Sequence, residues 1–206
     1  MQFRFKVVVL ETHLIDTLMN HLFLLLLFPF LATHFGFAPN AASFEEEIVW
    51  SGDRRLSWED FKGIPSGRQI TGAVTYSTIK ATPSVAGYFN NRIEVDVKAI
   101  FRCDRSWAKD KAKESDYLLN HEQRHFDIAE VYARKIRTAL QDHHITPRNY
   151  PRIKAQVIEP LFREYVNFDK SYDKTTVHGL SSDLQEEWDH KIDEALGLIE
   201  SEYADN

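Results

Sequence analysis

The spacing of apolar residues along the chain changes once, near residue 115, from a period of two to a period of three to four. Upstream, Ile48-Val-Trp50 and Leu56-Ser-Trp58-Glu-Asp-Phe61 are short apolar clusters around a Gly52-Asp53 turn, which predicts an edge strand followed by a packing loop. Residues 70–81 alternate, with Ile70, Gly72, Val74, Tyr76 and Thr78 on one side of the pleat, and their β-branched content favours a strand. Residues 92–102 alternate again through Ile93, Val95, Val97, Ala99 and Phe101. Asn90-Asn91 between them suits a hairpin turn.

Downstream, Leu118, His121, His125, Ala129, Tyr132, Ile136 and Leu140 fall on one stripe of a long helix. A second helix is predicted over residues 151–168, kinked or divided by Pro160. A third, over 183–203, has Leu184, Trp188, Ile192, Ala195 and Ile199 as its apolar face. The segment Ser171-Tyr-Asp-Lys-Thr-Thr-Val-His178-Gly179 between them reads as a polar loop. Strands first and helices after give an α+β fold: an N-terminal antiparallel hairpin, then a helical half.

The start of the chain changes the domain picture. Residues 22–32 form an uncharged apolar run of signal-peptide length, followed by the small residues Ala38, Ala41 and Ala42. Residues 1–42 are therefore expected to be a leader, with Met19 an alternative start, and residues 43–206 a single domain. The expected location is secreted or periplasmic, with no stable membrane association once the leader is cleaved and a membrane anchor if it is not. A formal net charge of −6 argues against nucleic acid as a partner, because phosphate binding needs a basic face. The single cysteine, Cys103, excludes both an internal disulfide and a cysteine-rich metal site.

Chemistry enters with His121-Glu122-Gln-Arg-His125, an H-E-x-x-H pentad on the stripe of the long helix. Histidines at i and i+4 lie one turn apart on one face, so both imidazoles can reach a single Zn²⁺. Glu122 is placed to act as general base on a water at that ion. A catalytic zinc needs a third protein ligand. The candidates are His178, Asp173, His143, His144 and the acids of the last helix; His178 is preferred, because imidazole suits zinc and Gly179 lets a tight loop approach. His143 and His144 lie past the end of the motif helix. Tyr172 could stabilise the oxyanion of a tetrahedral intermediate, the alternative being a hydrogen bond within its loop.

Taken together, Leu118-Leu-Asn-His121-Glu-Gln-Arg-His125-Phe-Asp-Ile-Ala, Tyr172-Asp-x-x-Thr-x-His178-Gly and Leu56-Ser-Trp58-Glu-Asp-Phe61 resemble the bacterial DUF922 family, described as secreted zinc-dependent proteases. The resemblance covers most of the chain after the leader. It implies export and a zincin-like metalloprotease domain with one zinc per chain, on which His178 is the third ligand. The expected activity is a zinc metallopeptidase acting on peptide or protein substrates. Two other readings share the pentad: an envelope binding module with a structural or vestigial zinc, and a cell-wall amidase.

Overall fold

The computed structural model describes residues 46–65, 71–86 and 91–204, the side chains of 198–204 excepted. The predicted leader, Ile70 and Asn90 lie outside the described residues. No helix among the described residues is long and apolar enough to cross a membrane.

Strands β1 (Glu47–Val49), β3 (Ser77–Val85) and β4 (Ile93–Arg102) form an antiparallel sheet in the order β1-β4-β3, and β2 (Ala73–Val74) pairs with β5 (Trp107–Ala108). The β3–β4 hairpin has Ser77 opposite Phe101 and Val85 opposite Ile93, and Asn91 takes the left-handed φ of 44° that such a turn favours. The inward face of β4 is the one its alternation predicts, with Val97, Ala99 and Phe101 buried. The inward face of β3 is not. The expected set of Val74, Tyr76 and Thr78 is only half-buried, and Ile79, paired with Ala99, is the buried residue. The chain changes partner between β2 and β3, where Val74 pairs with Trp107 and Ser77 with Phe101, and the buried positions on the two strands, Ala73 and Ile79, both fall on the phase opposite to the expected one.

Helix α1 (Asp116–Gln141) is capped by Ser115, whose Oγ accepts from Leu118 N. It packs on β4 and β3 on one side and on α3 and α4 on others. Phe101 and Phe126 meet with ring centroids 5.8 Å apart, and Ile128, Ala129, Ala133 and Ile136 are sealed from solvent. Two helices follow. A short α2 (Tyr150–Ile153) continues through a π-helical turn (Lys154–Ile158) into α3 (Glu159–Thr175), and α4 (Ser182–Ala204) closes the described chain. Pro160 is the second residue of α3, directly after the π turn, and that turn is the form the expected interruption takes. The segment read as a polar loop is half helix, since α3 runs on through Tyr172 and Asp173 to Thr175.

Candidate metal centre

Every residue of α1 from His121 to Ala133 is buried, although His121 to Arg124, His125, Asp127 and Glu130 are polar. Buried polar groups are costly unless hydrogen-bonded, so each must be matched by a partner. Most are. Gln123 accepts from Leu56 N at 2.7 Å and donates to Asp127 at 2.7 Å. Arg124 pairs with Asp127 at 3.2 Å, with Asp189 at 3.0 Å and with Asp193. Asp127 also receives Trp50 Nε1 at 2.9 Å, and Glu130 receives Arg134 and Arg137. Glu122 differs. It is 4 % exposed, and its carboxylate makes no hydrogen bond or ion pair with a described residue. Its oxygens are not sealed either, because the one wholly enclosed side-chain polar atom without a partner among the described residues is Trp58 Nε1.

The two histidines of the pentad are held from behind. His121 Nδ1 lies 2.9 Å from Gln185 Oε1, and His125 Nδ1 lies 2.6 Å from Asp169 Oδ1. Gln185 is oriented by its own donation from Nε2 to Asp189 at 2.7 Å, which leaves Oε1 as the atom facing His121. Both partners are acceptors, which keeps a proton on each Nδ1 and leaves Nε2 as the nitrogen that a metal ion would take once it is unprotonated. The Nε2 atoms point to one place. Asp173 Oδ1 is 3.3 Å from His121 Nε2 and 3.4 Å from His125 Nε2, and the three side chains form a group able to hold a metal ion, their ligand atoms all within 4.8 Å of one another.

Three electron-rich atoms at this range need positive charge between them. Burial opposes a charge on His125, but Asp169 and Asp173 outweigh it, and the imidazole pKa is raised well above its ordinary value. Burial likewise pushes the Asp173 carboxyl up, and hydrogen bonds from His121 and His125 prevail and hold it far below the usual carboxylate range. The same pocket that favours a proton on His125 favours a divalent cation in its place, with the proton released as the ion enters.

Tyr172 and His178 occupy other positions than the ones expected from sequence. Tyr172 is fully buried, its ring stacked on His121 at 4.8 Å, and its hydroxyl is taken up by His121 O at 3.1 Å and Gln185 Oε1 at 2.9 Å. That hydroxyl ties α3 to α1 and to Gln185 of α4. His178 lies one step out from the converging atoms, with Nδ1 3.2 Å from Asp173 Oδ2 and a side chain 58 % exposed. Asp173, one turn of α3 beyond Asp169, stands between it and the two ring nitrogens. His143 and His144 follow the end of α1.

The backbone after α3 explains Gly179. Val177, His178 and Gly179 have φ of 54°, 55° and 73°, a left-handed turn closed by Leu180 N and Ser181 N on Thr176 O. A Cβ at Gly179 would lie 2.9 Å from His121 Cγ. Gly179→Ala is expected to cost about 1–3 kcal/mol in stability, through a non-glycine left-handed residue and a displaced imidazole, and to lower metal affinity along with it. Thermal unfolding with and without metal checks both parts. Asp169→Ala has a different signature: His125 keeps its place but loses the acceptor that fixes its proton on Nδ1. Metal affinity is expected to fall about 10- to 100-fold with Tm little changed, as read by titration against a chelator.

Asp169, Asp173 and Gln185 were the residues hardest to place from sequence. Tyr165, Asp169, Tyr172, Asp173 and Thr176 follow helical spacings of three and four, and that stripe was the available signal. Gln185 had none, since a glutamine beside an apolar face gives no sign of the histidine it will meet.

The family described as "Bacterial protein of unknown function (DUF922)" matches residues 64–179. No curated protein and no solved structure matches the chain.

Proposed function

The chain belongs to the DUF922 family of bacterial proteins, and from that premise we propose that it is an exported zinc-dependent hydrolase, a peptidase, with metal on His121, His125 and Asp173 and Glu122 as general base. The observation that carries the reading is the convergence of His121 Nε2, His125 Nε2 and Asp173 Oδ1. Ligand atoms at 2.0–2.1 Å around a tetrahedral zinc are separated by roughly 3.3 Å. The separations from Asp173 Oδ1 to the two ring nitrogens are 3.3 and 3.4 Å. Three protein ligands also leave the fourth position open, as catalytic zinc sites do. When bound, zinc supplies a Lewis acid and lowers the pKa of water toward about 7.

The chain's own residues supply the rest. Gln185 and Asp169 keep the two imidazoles in the tautomer that offers Nε2. Glu122, buried beside them and unpartnered among the described residues, takes the proton of the attacking water at its carboxylate and returns it to the leaving amine. Among the described residues β3 ends the sheet, and its first residue, Ser77, donates to His125 O at 3.1 Å. An open strand edge therefore starts beside the ligand helix, which suits an extended peptide paired to it. The apolar run at residues 22–32, outside the described residues, supports export.

The test is zinc content and hydrolysis measured on the same purified protein. About one zinc per chain should survive dialysis in metal-free buffer, and cleavage of an unfolded protein substrate should stop with a chelator and return with zinc. A protein that retains no added zinc would defeat the proposal.

A further inference from the structure

Three side chains meet the amide of Gln185, a residue of α4 that is 2 % exposed. Its Oε1 lies 2.9 Å from His121 Nδ1 and 2.9 Å from the Tyr172 hydroxyl, and its Nε2 donates to Asp189 Oδ1 at 2.7 Å. The two ends of an amide have nearly the same shape, so its direction is set by the donor and acceptor roles of its partners and not by packing. Turned over, Gln185 would present an N–H to His121 Nδ1. That nitrogen would then have to be bare, with the imidazole proton on Nε2, the atom that faces Asp173 and the metal position. The direction of one buried amide thus decides which nitrogen of His121 is open to an ion.

Two of the three partners accept either direction. Imidazole can carry its proton on either nitrogen. The Tyr172 hydroxyl has one proton and a second acceptor for it, His121 O at 3.1 Å, so it can donate to Oε1 or, with its proton on that carbonyl, accept from Nε2. Asp189 is different, because a carboxylate only accepts. Its Oδ1 also receives Arg124 Nε at 3.0 Å, and its Oδ2 receives Asn120 Nδ2 at 2.7 Å. Donors on α1 therefore hold both of its oxygens in place, and one of them, Arg124, lies one turn from His121 on the same helix. His121, Gln185, Asp189 and Arg124 close a ring between α1 and α4.

We infer that Asp189 is a positioning residue of the metal centre. It is not one of the converging ligands; it acts through Gln185, whose direction it alone imposes, to keep the His121 proton on Nδ1 and Nε2 available to the metal. The inference rests on the zinc reading above and extends the site from α1 and α3 to α4. Asp193 supplies the contrast. One turn further along α4 it pairs with the same Arg124 through Nη1 and Nη2, and among the described residues its carboxylate is bonded to that arginine and not to Gln185.

The experiment measures zinc affinity of the full chain by competition with a chelator, beside thermal unfolding of the metal-free protein. Asp189→Leu, which keeps a side chain of similar reach without acceptors, should bind zinc about 10- to 100-fold more weakly. Asp193→Leu, which loosens the same arginine at a side chain 60 % exposed, should stay within about 2-fold. Adding Gln185→Glu to Asp189→Leu should recover most of the loss, because a carboxylate at 185 offers Nδ1 an acceptor whichever way it lies. A residue that merely fastened α4 to α1 would give equal losses in the two leucine variants and no recovery, and either result would overturn the inference. The wild type supplies a reading that needs no variant. Loaded with zinc and carrying ¹⁵N-labelled histidine, it should show His121 with a protonated Nδ1 and a coordinated Nε2, and a bare or coordinated Nδ1 would overturn the role of Asp189 while leaving the metal site standing. Full affinity in Asp189→Leu would do the same. Retention of no zinc by the wild type would overturn the metal reading, and this inference with it.

Discussion

Glu122→Gln is expected to leave zinc bound at about one per chain and to reduce hydrolysis by about 10²- to 10⁴-fold, the usual contribution of a positioned general base. The substitution keeps shape and removes only the charge and the basicity. The neighbours of Glu122 on α1 each spend their polarity on the fold: Gln123 on Leu56 N, Arg124 on three aspartates, Asp127 on Trp50 and Gln123. Glu122 has no such use among the described residues, yet it is kept at 4 % exposure. A buried carboxylate without a partner costs stability, and a neutral amide costs less. Thermal stability should therefore hold or rise in the variant while turnover collapses. A binding module with a structural zinc predicts a variant left intact, with no activity to lose. Retained zinc, unchanged Tm and unchanged hydrolysis would remove Glu122 from the chemistry.

The long helix was legible because two independent signals coincide in it. Its apolar stripe has helical spacing, and the pentad falls on that stripe, so periodicity gave the element and the pentad gave the chemistry. β4 was legible for a similar reason, being central, with one face buried along its whole inner half. β3 shows the limit of alternation. Ala73 in β2 and Ile79 in β3 are the buried positions and share one phase, opposite to that of the branched and aromatic residues at 74, 76 and 78 on which the alternation was read. The segment after residue 168 failed differently. Asp169, Tyr172, Asp173 and Thr176 carry a helical spacing made of polar residues, and apolar periodicity cannot register a helix whose face toward His121 and His125 is polar. Reading that stretch as a loop is also what made His178 look better placed than Asp173.

The same misreading sets up the other large effect. Asp173→Ala is expected to weaken zinc binding by more than the roughly 10- to 100-fold lost with a supporting partner, approaching the loss in His125→Ala. His178→Ala should stay within that range. The geometry separates the two roles: Asp173 Oδ1 faces both ring nitrogens at 3.3 and 3.4 Å, while its Oδ2 is the atom that meets His178 Nδ1 at 3.2 Å. A proton on His178 Nδ1 would draw the outer oxygen of Asp173 and leave the inner one facing the two ring nitrogens. Such a role would need a donor and not an imidazole. His178→Asn offers an amide N–H near the place of Nδ1 and accepts the left-handed φ of 55° that His178 adopts, so it should restore affinity to near the wild-type value. A true ligand would behave otherwise, because asparagine is a poor substitute for imidazole on zinc. If His178→Asn loses zinc as fully as His125→Ala while Asp173→Ala retains it, then His178 swings inward on metal binding and the two side chains exchange the roles given to them here.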